Sequence, residues 1–126
     1  MSARTAIFQA LRSLFADRVY PGTFPQPPAR PVWPACRYTL VSATVYDDQC
    51  GNDGGETDDE SYQLDIVHAN YDDMRALVRQ VRLALQATDP PCGIGGFRET
   101  FDPETKTHRG VLDVTFYPSS SDDSPA

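Results

Sequence analysis

The chain has 126 residues and a formal net charge of −7, a length that suits one domain around one core. Seven of its carboxylates fall in "DDQCGNDGGETDDE" at 47–60; outside that stretch eleven acids balance eleven Lys and Arg, so the body is formally neutral. This argues against a basic patch that grips phosphates by displacing counterions, and so against nucleic-acid binding as the main activity. Cys36, Cys50 and Cys92 form no CxxC pair and no Cys/His cluster, which argues against zinc and against a secreted disulfide scaffold and suits a reducing, cytoplasmic setting.

The opening "MSARTAIFQALRSLFADR" has neither a long apolar run nor a cleavage-type ending, so it reads as a first helix capped by Ser2. Ala6, Ile7, Ala10, Leu11, Leu14 and Phe15 recur at three- and four-residue steps and give it one buried face, with Arg4 and Arg12 toward the other side. It ends near Asp17, where six prolines follow between Pro21 and Pro34 and favour extended geometry. "PQPPARP" contains a PxxP, but the segment lies inside the domain. It reads as a connector strapped across the fold by Val32 and Trp33. No stretch approaches the roughly 20 apolar residues of a membrane span.

"CRYTLVSATVY" from Cys36 and "SYQLDIVHA" from Ser61 are strand-like, the second with Tyr62, Leu64 and Ile66 on one face and Gln63 and Asp65 on the other. The acidic stretch is the tip of the hairpin joining them. Asn70 caps a second helix with Asp72 and Asp73 in its first turn, an apolar stripe of Met74, Leu77, Val78, Val81 and Leu85, and a basic stripe of Arg75, Arg79 and Arg82. Pro90 and Pro91 prevent its continuation. "GFRETF", a turn at "DPETKT" and "HRGVLDVTFY" form a closing hairpin with Leu112, Val114 and Phe116 on one face. The pattern predicts an α+β domain over 1–117, an antiparallel β-sheet of about four strands with two helices packed on one face, and a disordered polar tail at 118–126.

The acidic residues Asp47, Asp48, Asp53, Glu56, Asp58, Asp59 and Glu60 do not fit a calcium loop. Starting at Asp47 or Asp48, the sixth position is Asn52 or Asp53 where an EF-hand needs glycine, and the flanks are strands. Like charges and glycines make the stretch a self-repelling flap, and no metal or other cofactor is expected. Asp65 and Asp113 share a sheet face like an acid/base pair, but lone polar-face aspartates on strands are more often surface or interface residues. His68 and His108 fall on the opposite face by strand parity, so no His/Asp relay is set up. "GIGG" lacks the Lys and Ser/Thr of a phosphate loop and precedes a strand. No catalytic residues are expected.

The helix ending "ADRVYPGTFPQ", the strand-to-helix run "YQLDIVHANYDDMRALVRQVRLAL" and the hairpin "FRETFDPETKTHRGVLDVTFYP" resemble the tail-completion, or tail terminator, proteins of long-tailed bacteriophages across almost the whole chain. The resemblance implies a non-enzymatic virion protein of the tail's head-proximal end, assembled in the host cytoplasm. It implies a homo-oligomer, a hexameric ring that stops growth of the tail tube. Its partners are then the tail tube protein and the head-tail connector protein, with DNA passing through the lumen without specific binding and no membrane involved. On that reading the acidic flap faces the lumen or the assembly, and Arg75, Arg79 and Arg82 face a neighbouring subunit or the tube. The rival readings are a small cation-dependent α+β enzyme using the acidic loop and Asp65, and a monomeric adaptor binding through "PQPPARP". Mass in solution separates them.

Overall fold

The computed structural model describes residues 3–44, 59–89 and 91–117. Ser2, most of the acidic stretch and the tail at 118–126 lie outside the described residues. The elements are α1 (Ala3–Leu11), a 3-10 turn (Arg12–Phe15), β1 (Val19–Pro21), β2 (Ala35–Thr44), β3 (Asp59–His68), α2 (Tyr71–Leu85), β4 (Cys92–Asp102) and β5 (Thr107–Phe116). The strands form one sheet in the order β1-β2-β3-β5-β4.

This corrects the expected sheet of four antiparallel strands. β1 is a fifth strand and runs parallel to β2, with Val19, Tyr20 and Pro21 opposite Cys36, Arg37 and Tyr38. Its brevity hid it: three residues ending in proline carry no periodicity, and proline is tolerated because β1 is an edge. The remaining pairs are antiparallel. The first helix also ends earlier than the prolines require. Ala16 and Asp17 adopt left-handed φ of 51° and 68°, and the Asp17 amide donates to the Arg12 carbonyl at 2.7 Å.

Both helices pack on one face of the sheet. Ile7, Leu11 and Phe15 from the first helical segment meet Leu64 and Ile66 of β3, Leu112, Val114 and Phe116 of β5, and Met74, Val81 and Leu85 of α2, all essentially inaccessible to water. Burying each large side chain contributes about 1.5–3 kcal/mol. Leu77, expected among these, is only partly buried at the cluster's margin. Asn70 caps α2 as expected, its side-chain oxygen accepting from the Asp73 amide at 3.0 Å. Gly110 sets how closely α2 approaches β5. A Cβ there would lie 2.9 Å from Met74 Sδ and from Val78 Cγ2.

The opposite face of the sheet is covered at one end by the proline-rich strap. Its anchor is Phe24, packed on Ala35 and Val67 and edge-on to Trp33 at 5.3 Å and Tyr20 at 6.1 Å between ring centroids. Trp33 takes part as expected, whereas Val32 does not: it is 56% exposed.

Candidate functional site

Beneath Phe24 lies the one acid of the sheet that is fully buried among the described residues. Asp65 is 1% exposed. Arg37, its register partner on β2, forms an ion pair with it; Arg109 on β5 approaches to 3.7 Å; and the Gln63 amide donates to its other oxygen at 3.0 Å. Both guanidinium groups also lie against the Phe24 ring, at 5.3 and 6.0 Å from its centroid. The expectation that Asp65 is a surface or interface residue is therefore corrected: the strap covers it. Two cations and an amide thus surround one carboxylate.

Asp113 does share that face, as expected, but sits at its open end and pairs with Arg98 at 2.9 Å. The histidines lie on the helix-bearing face. His108 packs between Phe101 and Tyr71, and His68 Nδ1 accepts from the Asn70 amide at 3.1 Å. Between α1 and the end of α2 there is a shallow cleft of about 380 Å³, lined chiefly by Ala6, Ala10, Ala84 and Ala87, with Asp89 as its ionisable lining residue among the described residues. Among the described residues no group of three or more His, Cys, Asp or Glu is placed to hold a metal ion, and no helix is long and apolar enough to cross a membrane.

Of the acidic stretch, Asp47, Asp48, Asp53, Glu56 and Asp58 lie outside the described residues. Asp59 and Glu60 open β3 opposite Thr44 and Ala43, and Glu60 accepts from the Tyr62 hydroxyl at 2.8 Å. Burial and that carboxylate push the Tyr62 phenol up from its usual range. The arginines of α2 divide. Arg75 meets Glu99 of β4 at 3.0 Å and the Tyr71 hydroxyl at 3.2 Å, so its acidic partner is within the subunit. The tyrosine hydrogen bond first, and Glu99 second, raise its pKa. Arg79 and Arg82 continue along the same side of the helix, exposed, and meet no carboxylate among the described residues.

The surface also carries large apolar side chains at both borders of the sheet: Leu40 and Val41 on β2, and Ile94, Phe97 and Phe101 on β4, each more than a third exposed. Periodicity could not single these out, because Leu40, Ile94 and Phe97 alternate like core residues. Only the strand order reveals that they lie at open borders.

The described residues thus form a small mixed sheet with helices on one face and exposed apolar side chains at both borders. The family model for tail completion protein gp17 matches residues 5–117, and the chain belongs to that family. It is a structural protein of the phage-tail type. Among solved structures, a chain of the virion of a native gene transfer agent particle has the same fold, with a TM-score of 0.58, 16% identity, and coverage of 92% of this chain and 93% of that one. A search of curated proteins gives no significant match.

Proposed function

We propose that copies of this chain form a ring on the head-proximal end of the tail tube, stop tube growth there, and present the surface to which the head-side connector joins. The family match over residues 5–117 carries this reading. The subunit's two sheet borders support it. They differ from each other, so a contact between them is head-to-tail, and a head-to-tail contact that closes makes a ring. A formally neutral body assembles without large self-repulsion.

The seven carboxylates at 47–60, one set per subunit, give such a ring a negative lumen from which DNA phosphates are repelled. Replacing residues 49–58 by an Asn-Gly turn leaves the β2–β3 register in place, held by Tyr62, Leu64 and Ile66. It lowers the yield of infectious particles. Full yield from the folded variant removes the lumen role.

The ring is tested by the chain's mass in solution, alone and with tail-tube protein. A hexamer in either condition is the expected result. A monomer in both, above all one stabilised by divalent cations, contradicts it.

A further inference from the structure

β4 borders the sheet and has no strand on its outer edge among the described residues. At the other border β1 covers β2 only from Cys36 to Tyr38, which leaves residues 39–44 of β2 open among the described residues. Unpaired strand edges with apolar side chains are templates for another chain. Here the two edges complement each other.

They lie at the same end of the sheet: Cys92 of β4 opposes Phe116, Phe116 opposes Glu60, and Glu60 opposes Ala43 of β2. Their directions are opposed, because β2 and β5 run one way and β3 and β4 the other. Extending the sheet from β4 of one copy to β2 of the next therefore makes an antiparallel pair. Three of the exposed apolar side chains share a face. Ile94 opposes Val114, Phe97 opposes Leu112 and Leu40 opposes Tyr62, all core residues, so all three project on the helix-bearing side.

Neither open segment, 39–44 or 92–97, contains a charged residue. The β4 segment is instead "CGIGGF". None of its glycines has a left-handed φ, and a Cβ on Gly95 or Gly96 would meet nothing nearer than 3.5 Å. The subunit itself has room for side chains there, even at the bulge between Ile94 and Gly96. A bare backbone on an open edge admits a second backbone.

We propose that residues 92–97 of one copy pair antiparallel with residues 39–44 of the next, joining the sheets of neighbouring subunits edge to edge. The inference rests on the ring reading and specifies its contact. Wild type, Ile94→Lys and Leu40→Lys are compared by native mass, alone and with tail-tube protein, with circular dichroism to check folding. The expected result is an oligomer for wild type and folded monomers for both variants, at least tenfold weaker in association. Oligomers of unchanged stability in both variants overturn the edge contact and leave the ring reading standing. A monomeric wild type in both conditions overturns the ring reading and the contact with it. Should either lysine variant misfold, the full chain carrying Leu40→Cys and Ile94→Cys decides. Oxidation yields a ladder of cross-linked copies if the edges meet, and no more cross-linking than wild type or the variants carrying one added cysteine if they do not.

Discussion

Arg37 and Asp65 stand opposite each other in register on β2 and β3, and their side chains form an ion pair beneath the ring of Phe24. The pair ties the proline-rich strap to the sheet, since the same guanidinium serves carboxylate and ring. Removing one member of a buried pair leaves the other uncompensated, at a cost of about 3–5 kcal/mol. Asp65→Ala, which strands Arg37 and Arg109 together, is expected to lose stability in that range in urea unfolding. A triple change to Met at 37 and 109 and Leu at 65 recovers most of it, because apolar replacement of every member of a buried ionic cluster is often neutral. A loss below about 1 kcal/mol for Asp65→Ala contradicts the role given to the cluster.

The core predicts a graded response along α2. Leu85 is 1% exposed while Leu77 sits at the margin. Leu85→Ala is expected to cost about 2–5 kcal/mol and Leu77→Ala less than that range. Denaturant midpoints at unchanged slope are the measure, and a reversed order misassigns the buried face.

Arg79 and Arg82 are the exposed cations of α2 with no carboxylate partner among the described residues, unlike Arg75. Reversing both to Glu leaves the subunit folded and weakens its assembly, most strongly at low salt where screening is least. Light scattering across salt concentrations tests this. Assembly equal to wild type at every salt returns the two residues to a solvated face.

Cys36 is fully buried, and burial, seconded by the charge of Asp65, pushes its thiol well up from the usual range. Its thiolate therefore forms more readily in the unfolded chain. The resulting stability is complete below about pH 8.5, the ordinary thiol value, and declines as pH rises above it. The decline approaches about 1.4 kcal/mol per pH unit for one group. Unfolding measured from pH 7 to 10 is expected to show it, with the slope reduced in Cys36→Ala. An equal slope in that variant assigns the alkaline loss to other groups, Tyr62 first.

Much of the fold was legible because its elements are amphipathic. The stripe from Met74 to Leu85 and the alternation of Tyr62, Leu64 and Ile66 identify α2 and β3 from spacing alone. β1 was not legible, since its pairing depends on where the strap returns. Nor was the burial of Asp65, which depends on Phe24 crossing the sheet. One signal for it was present: Ile66 and Val67 are adjacent and both apolar, as are Val111 and Leu112, which marks a strand covered on both faces. The open edges and the split among the α2 arginines were the least legible. Open edges are a property of strand order, and Arg75 differs from Arg79 only because Glu99 lies beside it.

Whether copies of this chain end the tube is measured by adding the purified chain to polymerising tail-tube protein and reading tube lengths in electron micrographs. Short tubes with a ring at one end, and lengths that fall as the ratio of chain to tube protein rises, are the expected result. Tubes of unchanged length with bare ends at every ratio contradict it.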